Sequence, residues 1–137
     1  MVRLTHALPA ITYLFSILVP VVAQDRAVTP DDVVAETGAT DLMWVAANRP
    51  VEELRDLIAN EPDIDPAARD DYGNTALHWV AFYATDPAVL DILLDLGVPT
   101  DVRNEQGFTA FEIIQANEAL VSTDPYQRLL RIKLESR

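Results

Sequence analysis

A chain of 137 residues, half of them hydrophobic, has room for one folded domain with a modest core. Its ten Lys and Arg stand against 22 Asp and Glu, a formal −12 at pH 7, which excludes the basic face that nucleic-acid binding needs. With no cysteine, the chain has neither a disulfide framework nor a thiolate metal site, and packing alone must hold the fold.

Apolar residues crowd the start. After Arg3, an uncharged run from Ala7 to Ala23 is built on Leu14, Phe15, Ile17, Leu18, Val19, Val21 and Val22 and broken by Pro20. Val21-Val22-Ala23, before Gln24, puts small or medium residues at the exit. A basic start, an apolar middle and a small-residue exit are the three parts of a secretory signal. Residues 1–23 are therefore expected to be a signal peptide cleaved after Ala23, sending the mature chain to the periplasm or outside the cell. Losing Arg3 with it takes the formal charge from −12 to −13. The alternative is a retained membrane anchor, for which the run falls short of the roughly 20 residues that span a bilayer. Residues 24–33 are polar and read as a tether, with Thr29-Pro30-Asp31-Asp32 opening a short leading helix.

From Val34 onward the chain repeats itself. Gly38-Ala-Thr40-Asp-Leu42-Met43-Trp44-Val45-Ala46 aligns with Gly73-Asn-Thr75-Ala-Leu77-His78-Trp79-Val80-Ala81 and with Gly107-Phe-Thr109-Ala-Phe111-Glu112-Ile113-Ile114. Repeats fall at about 35–69, 70–103 and 104–137 within a domain spanning 34–137. In the first, a second helix runs from Val51 to Ala59. In the middle one, Thr75 stands where its hydroxyl can cap a helix whose buried face carries Leu77, Val80 and Ala81. Asp86-Pro87 opens its second helix, with Pro at the first helical position. Leu90, Leu93 and Leu94 supply that helix's apolar stripe, and Gly97 ends it. Gly73 and Gly107 sit where a tight turn needs positive φ.

The third repeat carries Phe111 and Glu112, and its second helix follows Asp124-Pro125 as Tyr126 to Leu134. Its linker, Asn117 to Asp124, is longer than its counterpart. Arg128, Arg131, Lys133 and Arg137 suit the solvated outer face and C-terminal end of a terminal cap. Trp44 and Trp79 recur at one repeat position and are expected in the core. A helix pair cannot bury itself alone, whereas three stacked pairs make a continuous core.

Asp70-x-x-Gly73-x-Thr75-Ala76-Leu77-His78 resembles the ankyrin signature, in which a polar residue and Gly precede Thr-Pro-Leu-His. Val89 to Gly97 resembles the second ankyrin helix with its Gly terminator. The resemblance runs from about Val34 to Leu134. It implies an all-α solenoid of about three ankyrin repeats, each a helix-turn-helix with a short β-turn hairpin. It further implies that His78 braces the turn by hydrogen bonding near Thr75. Finally, it implies a concave recognition surface made by hairpin tips and the exposed side of each first helix. Carried over by position, that surface holds Asp71, Tyr72, Asn74, Phe82 and Tyr83 in the middle repeat. Glu105, Gln106, Phe108, Ala116 and Asn117 are their counterparts in the third repeat, and Glu36, Thr37, Ala39, Ala47 and Asn48 in the first. Tyr72, Phe82, Tyr83 and Phe108 would form an aromatic patch rimmed by acids, the composition of a binding hot spot. The alternative is that Phe82 and Tyr83 bury against the loop from Ala84 to Asp86.

Residues for catalysis are scarce. Imidazole comes from His78 and from His6, which lies in the expected signal. Asp31-Asp32 and Asp70-Asp71 suit solvated turns and caps, and Asp63-Ile64-Asp65-Pro66 lacks the glycine and terminal Glu of a calcium loop. There is no Gly-rich phosphate loop and no Gly-x-Ser-x-Gly. No catalytic residue, cofactor or metal is expected. The chain reads as a non-catalytic module, monomeric alone, that binds another protein, with a basic partner favoured by its charge. Neither nucleic acid nor, after signal cleavage, a membrane is an expected partner. Resemblance to small exported bacterial ankyrin proteins implies a sharper expectation, the neutralisation of a toxin or enzyme in the manner of an immunity protein. The alternative is a structural or chaperone-like accessory of an envelope enzyme, for example in oxidant defence.

Overall fold

Three helix pairs follow one another along the chain: α1 (Asp41–Asn48) and α2 (Val51–Asn60), α3 (Ala76–Tyr83) and α4 (Ala88–Leu96), α5 (Ala110–Ile114) and α6 (Asp124–Glu135). They belong to a computed structural model that describes residues 36–136. The expected signal peptide with its exit at Ala23, the expected tether and leading-helix start, and Arg137 all lie outside the described residues. The first helices pack side by side, α1 on α3 and α3 on α5, while α2, α4 and α6 form a second row. The result is an all-α solenoid. Among the described residues, the hairpins contribute one isolated antiparallel bridge, Arg103 with Thr109, and no strand.

Each first helix starts on a threonine in extended backbone, Thr40, Thr75 or Thr109, closed by a capping box. The residue three places on reaches back to the threonine N–H, and its chemistry changes from repeat to repeat. Met43 offers a thioether sulfur at 3.4 Å, His78 its Nδ1 at 3.1 Å, and Glu112 a carboxylate oxygen at 2.9 Å. One orphan donor thus finds three different acceptors.

The second helices begin differently. Pro87 lies just outside α4 rather than at its first position, and Asp86 Oδ1 accepts the Ala88 N–H at 2.9 Å. Thr123 caps α6, so Asp124 and Pro125 fall inside the helix that was expected to follow them. Gly97, at φ 91°, ends α4, and the next amide, Val98 N–H, returns to Leu93 O at 3.2 Å.

Leu54, Leu90, Leu93 and Leu129 from the second row meet Leu77, Trp79 and Val80 from the first in a continuous buried cluster. Trp79 is core as expected, but Trp44 is half-buried against the cluster's edge, and so is Leu94. The solvated cap expected of α6 holds for Arg131 but not for its neighbours. Arg128 reaches across to Asp91 (3.1 Å) and Asp95 (2.6 Å) on α4, and Lys133 Nζ sits 4.3 Å above the Phe111 ring.

Because α5 is short, the chain after it wraps back over the end of α3. There Asn117 Nδ2 donates to Ala81 O at 3.2 Å and Ala84 O at 2.9 Å. Carbonyls at a helix C-terminus have no partner within the helix, and the longer linker supplies one.

Candidate protein-binding face

The hairpins stack by backbone hydrogen bonds at equivalent positions. Asp71 N–H donates to Thr37 O at 2.8 Å, and Glu105 N–H donates to Tyr72 O at 3.0 Å. Register between repeats is therefore fixed, and Asp71 and Glu105 stand one repeat apart at exposed tips, with Gln106 exposed beside Glu105.

Beneath the tips runs a buried polar spine. Asp70 accepts from the backbone of Tyr72 (2.9 Å) and Asn74 (2.8 Å), from Asn74 Nδ2 (3.2 Å) and from Trp79 Nε1 (3.0 Å). Asn104 takes the same place one repeat later. Its Oδ1 accepts from Gln106 and Phe108 N–H, and its Nδ2 donates to Asn74 Oδ1 at 3.0 Å. Asn74, expected on the exposed face, is instead 2% exposed. Its amide is the link between two turn-holding side chains, so it is not available to a partner. Of the counterparts expected on the face in the first repeat, Thr37, Ala39 and Ala47 are buried as well. The signal for the spine was present in the sequence, since Asp70 and Asn104 each lie three residues before a turn glycine, as in an Asx turn.

A third connection runs through His78, which is fully buried. A backbone N–H can only donate, so the Nδ1 facing Thr75 N–H carries a lone pair, and the ring proton is on Nε2, donated to Phe108 O at 2.9 Å. The brace implied near Thr75 is there, and it also reaches the third hairpin. Burial holds the imidazole below its ordinary pKa, against a smaller opposing pull from the Phe108 carbonyl.

Phe82 and Tyr83 are half-buried at the end of α3. The Tyr83 ring lies 5.8 Å from Trp79 and 5.9 Å from Phe82, both tilted, so the pair is seated on the core rather than standing free. Burial, with a contribution from the Asp70 charge, pushes the Tyr83 hydroxyl up to about 12, which keeps it neutral. Tyr72 and Phe108 are also half-buried. The expected bare aromatic patch is thus a ledge of anchored rings, joined to the acidic tips through Trp79 and Asp70. At the position of Phe82 the neighbouring repeats carry Ala47 and Ala116. Among the described residues, no group of three or more His, Asp or Glu is placed to hold a metal ion.

Residues 42–90 match the family model of ankyrin repeats. Solved structures similar to this chain include a chain of the complex between a predatory endopeptidase and an immunity protein from Bdellovibrio bacteriovorus, with a TM-score of 0.52 and 27% identity. That match covers 69% of this chain and 46% of the other, so this chain spans about half the length of that relative. A search of curated proteins finds no match.

Proposed function

We propose that this chain, whose residues 42–90 match the family model of ankyrin repeats, is a non-catalytic binding module that neutralises an exported enzyme, as an immunity protein does. The observation that carries the proposal is the pair of exposed acids, Asp71 and Glu105, held in register one repeat apart at the hairpin tips, with the anchored rings of Phe82 and Tyr83 at the other end of α3. Rigid aromatics with a charged rim are what protein recognition uses. The likeness to a chain of the endopeptidase–immunity complex supports a peptidase as the partner class. A formal −12 favours a partner with a basic surface. Export is supported by the basic, apolar and small-residue sequence of the first 23 residues.

Two experiments test this. Mixing the purified chain with an exported peptidase encoded in the same genome should give an equimolar complex and abolish peptidase activity. A complex that retains full activity would point to the accessory role, and no complex with any such peptidase would remove the proposal. The intact mass of the protein recovered from the producing cell should correspond to a chain beginning at Gln24. A mass that retains Met1 would mean an anchor.

A further inference from the structure

His78 is tied on both sides of its ring to backbone from two different repeats. Nδ1 accepts from Thr75 N–H at 3.1 Å and lies 2.9 Å from the Thr75 hydroxyl, closing the cap of α3. Nε2 donates to Phe108 O at 2.9 Å, in the hairpin that also carries Glu105 and Gln106. No water reaches the ring, which is 0% exposed. A second proton could only go on Nδ1, where it would confront the Thr75 N–H. The Thr75 N–H then loses its acceptor, and the new charge can be hydrated only if the ring leaves its closed site against the third hairpin.

We propose that His78 is an acid-sensitive latch: protonation of its ring releases the third hairpin from the second repeat, and with it the Glu105–Phe108 part of the face. The effect on partner binding rests on the functional reading above, while the latch itself does not. Charged groups acting on the ring are Asp70, which favours its protonation, and Arg69, which opposes it, both on the segment leading into α3. Otherwise it meets backbone carbonyls, that of Phe108 in the third repeat and that of Val102 just before it. Neither side offers a carboxylate hydrogen-bonded to the ring that would hold an imidazolium in place, so the charged ring gains more by leaving.

The sign follows from linkage. The closed state excludes the proton, while the opened state accepts it near the ordinary histidine pKa of about 6.5. Opening is therefore unaffected well above that pH and grows as pH falls through it, by about tenfold between pH 7.5 and 5.5.

Amide hydrogen exchange of the full chain, resolved by residue and corrected for intrinsic rates, tests the latch. Protection at Thr75, Asn104, Glu105 and Phe108 should drop about tenfold over that range, while Leu93 and Leu129 hold theirs. In His78→Gln the drop should disappear. Should that variant not fold, ring nitrogen shifts of the wild type serve instead, with Nδ1 unprotonated at pH 7.5 and imidazolium appearing in step with lost protection. Protection unchanged to pH 5.5, an equal loss at every amide, or a ring that protonates while the hairpin stays closed would each overturn the proposal. None of these readouts involves a partner, so failure of the binding reading leaves this test intact.

Discussion

Trp79 donates its indole N–H to Asp70 Oδ2 at 3.0 Å, whereas Trp44, its equivalent one repeat earlier, buries Nε1 with no acceptor. Trp79 is served by Asp70, nine residues before it in the sequence, and no described residue plays that part for Trp44. The same residue type at the same repeat position is therefore satisfied once and orphaned once. Trp79→Phe should cost more stability than Trp44→Phe, by about 1–2 kcal/mol, because only the first leaves a buried acceptor short of a donor. Equilibrium urea unfolding of the two variants measures the difference. Equal losses would mean that the spine does not depend on the indole.

Leu93 is completely buried where the second row of helices meets the first. Leu93→Ala should cost roughly 2–5 kcal/mol. Few domains of this size have more than about 5–15 kcal/mol to lose, so the variant should melt far below the parent. An unmoved melting curve would show that the packing register is wrong.

Glu112 closes the cap of α5, and the Thr109 N–H that it accepts holds its carboxyl below the usual range, against partial burial and with help from Arg103. Its folded pKa is depressed, so its contribution is fully present above the unfolded value and is lost as pH falls through the folded one. Urea midpoints for the wild type and Glu112→Gln should differ at pH 6 and converge toward pH 3. A constant gap would assign the difference to packing instead of charge.

Much of the fold was legible because the repeat carries its signals locally. Gly-x-Thr at the turn, apolar spacing along each helix and a glycine after α4 locate the middle repeat to within about a residue. A polar residue in a turn, such as Asn74, reads as solvated, yet its amide is buried against Asn104, thirty residues away. The cap partners Met43, His78 and Glu112 share no sequence pattern, since a thioether, an imidazole and a carboxylate have only their position in common. Asn117 was placed on the face, yet its amide closes the end of α3. That role follows from the length of α5, which propensity does not fix. Of the aromatics assigned to the face, Tyr83 is anchored on Trp79 in the core and Phe82 on Tyr83, a fact that depends on tertiary packing alone.

The most direct test of the central claim, that this chain binds a protein through its hairpin tips and aromatic ledge, is the binding kinetics of three variants against an exported peptidase at two ionic strengths. Tyr83→Ala should speed dissociation by about tenfold, equivalent to about 1.4 kcal/mol. Asp71→Asn should slow association at low salt, with the difference closing as salt rises. Arg55→Ala, on the exposed side of α2, should change neither rate. Loss of binding in Arg55→Ala, with Tyr83→Ala and Asp71→Asn indistinguishable from the wild type, would place the partner on the second row of helices and contradict the account.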